Sequence, residues 1–368
     1  MPSSRQAPPE YVVVPFVRDA VPTLTRRCAP HEVPERWHTV DRSAHGPTLI
    51  AVPDEDKGEG GERWSSVALV TARPGTSYLK IVDVVGDVPA GVAAVLAHAG
   101  ERRLAQVKWE GWTGGPEEAA AAGFTELSPP LALSDGASGP ATGYVRWLDD
   151  AGVAPPPHEE PAYDAPPYYG QSTHFTCGAV TALVARAHAG VLAGDELDRR
   201  AELTFWRQAT NFPACEPVGL GVAVRRQWPE PDVTVHLDTD RPVLLDHLDA
   251  KEQDWRALLQ HSSRADAERL GVPVDPGHLS LAAVRDLVGR GAHVLLLLSL
   301  AEMQGFDVPH WVLCHGAVAG AVVIDDPWAQ ATAGDTWVDA HLLPVPDASL
   351  DAMSTMAPDG FRGAVSIG

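Results

Sequence analysis

Two short runs of proline interrupt the chain near its middle and divide it into two parts with different patterns. Pro155-Pro156-Pro157 and Pro166-Pro167 both lie within residues 151–169, and proline-rich segments of this kind are stiff and extended. The sequence of 368 residues is long enough for two domains. We therefore predict an N-terminal domain over residues 1–150, a proline-rich linker over 151–169 and a C-terminal domain over 170–368.

The part before the linker alternates predicted strands with predicted helices. The turn residues Arg73-Pro74-Gly75-Thr76 separate two strand-like runs. The predicted strands are Tyr11–Val17, Trp64–Ala72, Ser77–Val85, Leu104–Lys108 and Gly143–Leu148, and the predicted helices are Pro89–Ala99 and Glu117–Ala122. This order, together with the helix end Ala120-Ala121-Ala122-Gly123-Phe124, resembles the GNAT acetyltransferase domain. The resemblance implies an α/β domain with a mixed sheet.

The same part departs from that family at the segment that would bind the cofactor. GNAT enzymes hold the acetyl-CoA pyrophosphate with a Gln/Arg-x-x-Gly-x-Gly/Ala loop at a helix N-terminus. Here the segment is Gly86-Asp87-Val88-Pro89-Ala90-Gly91, without the arginine or the glycine spacing. Asp87 would also repel a phosphate at a helix end that otherwise favours anions. We therefore predict a GNAT-like scaffold without acetyl transfer and assign no cofactor.

The charge of the chain limits the classes of partner. Lysine and arginine number 28 against 49 aspartates and glutamates, a formal net charge of −21. Nucleic acids and anionic membranes attract basic surfaces, so we expect neither as a partner. A peptide or a small molecule that contains an amide is the expected substrate, and the sequence leaves the oligomeric state open.

Apolar runs and cysteine spacing indicate a cytoplasmic protein. No N-terminal segment has the pattern of a signal peptide. The longest apolar run, Val294–Leu300, is much shorter than the roughly 20 residues of a membrane helix, and we predict it to be a buried strand. Cys28, Cys177, Cys215 and Cys314 are scattered and lack C-x-x-C spacing, so we expect neither a disulfide framework nor a zinc ribbon.

One cysteine has the surroundings of a nucleophile. In Gln171-Ser172-Thr173-His174-Phe175-Thr176-Cys177-Gly178, the thiol begins a predicted amphipathic helix that extends to about Leu192. A helix N-terminus favours an anion and lowers the pKa of a thiol. The alternative is that Cys177 is a small buried hydrophobic residue.

Gln171 stands six residues before the cysteine. Its side-chain N–H could bind the oxyanion of a tetrahedral intermediate, with the Cys177 backbone N–H as the second donor. The alternative is a surface glutamine in a polar loop. His174 is closer to the thiol in sequence, but we assign it to the approach loop or a subsite and not to the base.

A predicted hairpin supplies the base and a carboxylate. His310 to Ala317 and Ala321 to Asp326 form its strands, with Ala319-Gly320 as the turn. With residue 318 at the centre, His310 and Asp326 would lie opposite each other. Asp326 could then accept from one imidazole nitrogen and leave the other for the thiol.

Three alternatives involve neighbouring residues of this hairpin. Asp325 points to the opposite face of the strand and is the second choice for the carboxylate. His315 is the rival base. A metal bound by His310, Cys314 and His315 is not expected, because a strand spreads these side chains over both faces.

These motifs, with Glu202-x-x-x-Trp206-Arg207 and Pro217-Val218-Gly219-Leu220, resemble the bacterial peptidase-like family related to the peptidases that process bacteriocin leaders. Those are papain-like cysteine peptidases, and the resemblance covers residues 165–330. It implies an α+β chain whose C-terminal domain packs the nucleophile helix on an antiparallel sheet. It also implies Cys177 as nucleophile, His310 as base, Asp326 as its orienter and Gln171 as oxyanion donor. Relatives usually carry proline where this chain has Ala179, which removes no reacting group.

Three functions are consistent with such a site. The first is hydrolysis of a peptide or other amide bond through a thioester. The second is transfer of the same acyl group to an amine, by an acyltransferase or transpeptidase. The third is a non-catalytic binding module that retains the residues of the triad.

Overall fold

A computed structural model describes residues 9–28, 30–54, 63–112, 114–134, 139–148, 164–209 and 214–368. The predicted linker lies outside the described residues up to position 163. The described residues form two compact units. Unit 1 lies within Met1–Pro129, Ser138–Tyr163 and Gln330–Asp339, and unit 2 within Pro130–Ala137, Asp164–Ala329 and Ala340–Gly368.

Unit 1 contains a mixed sheet of seven strands. They are β1 (Val12–Pro15), β2 (Thr48–Pro53), β3 (Trp64–Thr71), β4 (Tyr78–Gly86), β5 (Gln106–Glu110), β6 (Thr125–Glu126) and β7 (Gly143–Trp147). Their order is β1-β2-β3-β4-β5-β7-β6, and only the β4–β5 pair of this sheet is parallel. The predicted mixed α/β character is confirmed. Strand β2 was not predicted.

Helices cover both faces of this sheet because successive strand residues point to opposite faces and the residues on both faces are apolar. The helices are α1 (Val21–Cys28), α2 (Arg36–Thr39), α3 (Val88–Glu101) and α4 (Pro116–Ala121). In β2, Ile50 and Val52 belong to the core that includes α3, whereas Leu49 and Ala51 belong to the core that includes α1. Consecutive strand residues therefore contribute to two apolar layers, one on each face of the sheet.

The junction of β4 and α3 is a tight turn. Gly86 has φ of 92°, and a Cβ there would clash with the Ser65 carbonyl oxygen, so glycine is required. Asp87 then caps α3, since its side chain accepts from the Ala90 N–H at 3.0 Å. A carboxylate thus occupies this helix N-terminus, where a bound pyrophosphate would need positive potential.

Unit 1 also buries a cluster of charged side chains. Lys80 Nζ lies 2.7 Å from Glu110 Oε1 and 2.5 Å from Asp339 Oδ2, and Arg73 lies 2.9 Å from Asp335. Burial alone would raise the pKa of Asp339, but Lys80 and then Arg73 lower it well below its ordinary value. Two of these carboxylates come from residues 330–339, so that late segment is an integral part of unit 1.

Unit 2 contains a second sheet of seven strands, β8 (Val233–Leu237), β9 (Val274–Asp275), β10 (His293–Ser299), β11 (Pro309–Val318), β12 (Ala321–Asp325), β13 (Leu343–Pro346) and β14 (Gly363–Ile367). Their order is β13-β12-β11-β10-β14-β8-β9. Its pairs are antiparallel except β8–β9. The predicted buried strand at Val294–Leu300 is confirmed as β10.

The later helices are α5 (Cys177–His188), α6 (Arg199–Ala209), α7 (Pro217–Gln227), α8 (Ala250–Leu270), α9 (Leu281–Gly289), α10 (Ala301–Gln304), α11 (Trp337–Ala340) and α12 (Asp347–Met353). Short 3-10 turns lie at Arg18–Ala20, Ser43–His45, Gly194–Glu196 and Ala331–Ala333. No helix within the described ranges has the length and apolar character needed to cross a lipid bilayer.

Helix α5 packs on the middle of this sheet. Alternate residues Leu295 and Leu297 of β10 and Trp311 and Leu313 of β11 share a core with it. The predicted helix start at Cys177 is confirmed, and the helix ends at His188, before the predicted end at Leu192. Its first nine residues are all buried, so the helix is anchored from its N-terminus onward.

Candidate active site

The structure brings Cys177, His310 and Asp326 together in unit 2. Nε2 of His310 lies 2.7 Å from Asp326 Oδ1, and the imidazole also hydrogen-bonds the Cys177 thiol. Because Asp326 engages Nε2, Nδ1 is the nitrogen left for the sulfur. Cys177 is 7% exposed, His310 4% and Asp326 0%, so the three groups interact with little screening by water.

The electrostatics of the pair favour a thiolate beside an imidazolium. Burial raises the pKa of Cys177, but His310 outweighs it, and the backbone N–H groups of Trp311 and Gly178 add to the lowering. Burial lowers the pKa of His310, but Asp326 and then Cys177 raise it to about 10. The two pKa shifts have opposite directions, and each favours the charged form of its group, as expected for an ion pair.

The pKa values of the three other thiols are raised, not lowered. Burial raises the pKa of Cys28 to about 11 and raises the pKa values of Cys215 and Cys314 further. Since the thiolate is the nucleophilic form, Cys177 is the thiol that the structure activates.

The hairpin that carries the base differs from the prediction in its register. The turn lies at Ala319-Gly320, as predicted, but Leu313 pairs with Asp325, and a bulge shifts the register between Cys314 and Gly316. The predicted cross-strand pairing of His310 with Asp326 is therefore wrong, because the pairing of Val318 with Ala321 centres the hairpin between Ala319 and Gly320 and not at residue 318. Asp326 follows the end of β12, and its side chain still reaches the imidazole.

Backbone and side-chain donors hold the carboxylate in place. Asp326 Oδ1 accepts from the Trp328 N–H at 2.8 Å, and Oδ2 lies 3.4 Å from Gln304 Nε2. The Asp326 N–H donates to the Ala340 carbonyl at 2.9 Å. Gln304 is buried and was not named from the sequence, because no motif links α10 to the hairpin and only the tertiary fold does.

Asp325 belongs to a separate buried cluster. Its Oδ1 accepts from the Leu342 N–H at 2.7 Å and lies 3.0 Å from His341 Nδ1 and 3.3 Å from His315 Nε2. The second-choice carboxylate and the rival base are thus paired with each other. His310 and His315 face different carboxylates, so the structure does not bring them to one metal ion.

Gln171 is buried, so the alternative of a surface glutamine is wrong. Its backbone N–H donates to the Pro327 carbonyl at 2.8 Å, and its Nε2 donates to the Thr173 carbonyl at 2.7 Å. The amide has a second N–H that these contacts do not use. His174 is exposed in the approach loop, with its ring edge-on to Phe175.

A thiol at the start of a buried helix, with an imidazole and a carboxylate at the ends of two neighbouring antiparallel strands, defines a cysteine peptidase-like domain. The family model described as the Peptidase_C39 like family matches residues 166–368. The chain belongs to this family. No curated protein was found to match it.

Three solved acetyltransferase structures are similar to the N-terminal part of the chain. The ribosomal-protein-S18-alanine N-acetyltransferase from Escherichia coli is 8% identical, with 41% of this chain and 99% of that chain covered and a TM-score of 0.26. A GNAT superfamily phosphinothricin acetyltransferase from Sinorhizobium meliloti, solved with AcCoA, is 12% identical; the match covers 42% of this chain and 97% of that chain, with a TM-score of 0.25. Ard1 from Thermoplasma volcanium is 14% identical; the match covers 37% of this chain and 95% of that chain, with a TM-score of 0.23. Likenesses at this level carry no argument about activity.

Proposed function

We propose that the protein is a cysteine peptidase or amidase that cleaves a peptide or other amide bond through a thioester on Cys177. The observation that carries the proposal is the contact of Cys177 with His310, together with the opposite pKa shifts of the two groups. A lowered thiol pKa beside a carboxylate-oriented imidazole is the state that a thiol nucleophile needs at neutral pH.

The bond changes follow from this geometry. The Cys177 thiolate adds to the substrate carbonyl carbon, and the carbonyl π electrons move to oxygen. In this proposal the Gln171 amide and the Cys177 backbone N–H stabilise that oxyanion. As it collapses, the C–N bond breaks, His310 gives its proton to the leaving nitrogen, and a thioester remains. Water then adds to the thioester, His310 takes its proton, and the acid and the thiolate are released.

The expected substrate is a peptide or an amide-containing small molecule. The formal charge of −21 favours neutral or cationic substrates over nucleic acids and anionic membranes. A reducing cytoplasm would keep the Cys177 thiolate available.

A second reaction uses the same thioester. Cys177 and His310 are only 7% and 4% exposed, and a site that shields its acyl group from water favours an amine acceptor. Attack by an amine nitrogen on the thioester carbon, with His310 taking the proton that the nitrogen loses, would form a new amide and expel the same thiolate. This outcome would make the protein an acyltransferase or transpeptidase.

Two reagents test the proposal. At pH 6, iodoacetamide should alkylate Cys177 much faster than the three other cysteines, and p-nitrophenyl acetate should leave an acetyl group on Cys177. Both modifications are located by mass spectrometry after digestion. Cys177→Ala should abolish the acetylation, whereas Cys28→Ala, which removes another buried thiol, should not.

The outcomes are distinct. Equal alkylation of all four cysteines, or no acetyl-enzyme in the wild-type protein, would refute the activated thiol. Adding an amine to the trapped acetyl-enzyme separates the two reactions, because free acetate indicates hydrolysis and an acetamide indicates transfer.

A further inference from the structure

A buried carboxylate accepts hydrogen bonds from the segment that precedes Cys177. Glu202 lies on α6 and is 0% exposed. Its Oε1 accepts from the Ser172 N–H at 2.9 Å, and its Oε2 accepts from the Tyr169 hydroxyl at 3.2 Å. The Thr176 hydroxyl donates to Oε1 as well.

The three donors belong to one segment, residues 169–176, which carries Gln171 and runs directly into Cys177. Thr176 precedes α5, where a threonine hydroxyl usually caps the helix. Here it makes no cap bond and is directed to Glu202 instead. The carboxylate therefore holds the segment on both sides of Thr173, whose carbonyl receives the Gln171 amide.

The hydrogen bonds to Glu202 add to the local hydrogen bonds within residues 169–176. A buried carboxylate is costly unless hydrogen bonds satisfy it, and hydrogen bonds to a charged acceptor are shorter and stronger than neutral ones. Burial, and then the neighbouring Glu202, raise the pKa of Tyr169 above its ordinary value. The phenol thus stays protonated near neutral pH and continues to donate.

We propose that Glu202 is a positioning residue that sets the geometry of the oxyanion site through residues 169–176. This inference rests on the proposed function of Cys177. Oxyanion donors act only when they are oriented in advance, and a displacement of about 1 Å can cost about 100-fold in rate. Glu202 does not touch the reacting atoms, so its effect passes through Gln171 and the start of α5.

Two reactions of the Cys177 thiol distinguish a loss of oxyanion-site geometry from general damage to the fold. Acetylation by p-nitrophenyl acetate passes through an oxyanion, whereas alkylation by iodoacetamide takes place at a saturated carbon and forms none. Glu202→Gln keeps the side-chain shape but replaces one acceptor oxygen with an NH2 group, which cannot accept. We expect the acetylation rate to fall about 100-fold, with the alkylation rate and its pH dependence unchanged.

A second pair of variants keeps the test valid if Glu202→Gln folds poorly. Thr176→Val removes the hydroxyl at constant shape and should lower acetylation selectively, whereas Thr176→Ser should restore it. Glu216→Gln serves as a matched control, because Glu216 is also buried and accepts two backbone N–H groups, at the start of α7. This control should keep the wild-type ratio of the two rates.

Each result decides the inference. Acetylation that persists in Glu202→Gln and Thr176→Val would overturn it while leaving the proposed function intact. An equal fall of both rates would assign Glu202 a purely structural role. A wild-type protein that is not acetylated at all would overturn the proposed function, and this inference with it.

Discussion

Replacement of Asp326 by asparagine removes one charge from the site and little else. The asparagine oxygen can still accept from His310 Nε2, so the ring orientation is retained. In the native site, burial lowers the pKa of His310, and Asp326 is the larger of the two charges that raise it to about 10. Relative to the ordinary value near 6.5, this is about 5 kcal/mol in favour of the imidazolium.

The size of the effect follows from these contributions. A single opposite charge at contact distance changes a pKa by about 1–3. Without Asp326, burial favours the neutral imidazole, and the Cys177 thiolate loses the cation that stabilises it. The pH midpoint of alkylation should therefore rise by about 1–3. At a pH below both midpoints, alkylation should slow by about 10- to 1000-fold.

The assay is the rate of Cys177 alkylation by iodoacetamide across pH, read by mass spectrometry. Asp325→Asn is the matched control, because it neutralises the adjacent carboxylate, whose partners are His315 and His341. The control should leave the midpoint of Cys177 unchanged. An unchanged midpoint in Asp326→Asn, or an equal shift in both variants, would refute the reasoning.

Three further outcomes are expected. Gln171→Ala should slow acetylation of Cys177 by about 100- to 1000-fold without moving the alkylation midpoint; equal effects on both reactions would contradict the oxyanion role. Lys80→Met should lower the free energy of unfolding by about 3–5 kcal/mol in urea titrations, because it removes the buried cation that Glu110 and Asp339 share, whereas exposed Lys251→Met should have little effect. The pKa of Asp339 is lowered, so its contribution to stability is present above the unfolded value of about 3.9 and is lost as the pH falls; urea titrations that show no such loss would contradict the ion pair.

Local patterns determined much of the secondary structure. The helix start at Cys177 and the strand β10 were predictable, because an amphipathic period and an unbroken apolar run are short-range signals. The motifs also named Cys177, His310 and Asp326, which the structure places together. Their catalytic roles remain proposals.

The register of the hairpin was predicted wrongly. The prediction took residue 318 as the centre, whereas Val318 pairs with Ala321 across the turn, and the bulge between Cys314 and Gly316 then shifts the register by one residue. The Asp326 side chain compensates from the loop beyond β12. Its backbone is held there by Ala340, a residue that no local pattern connects to it.

The sequence by itself determined the periodicities, the helix start and the chemical groups of the site, because these depend on neighbours a few positions apart. Only the tertiary structure decided that Glu202 supports the segment before Cys177, that Gln304 lies against Asp326, and that residues 330–339 belong to unit 1. The physical reason is burial. A buried polar group must find partners wherever the chain brings them, and those partners lie tens to hundreds of residues away in the sequence.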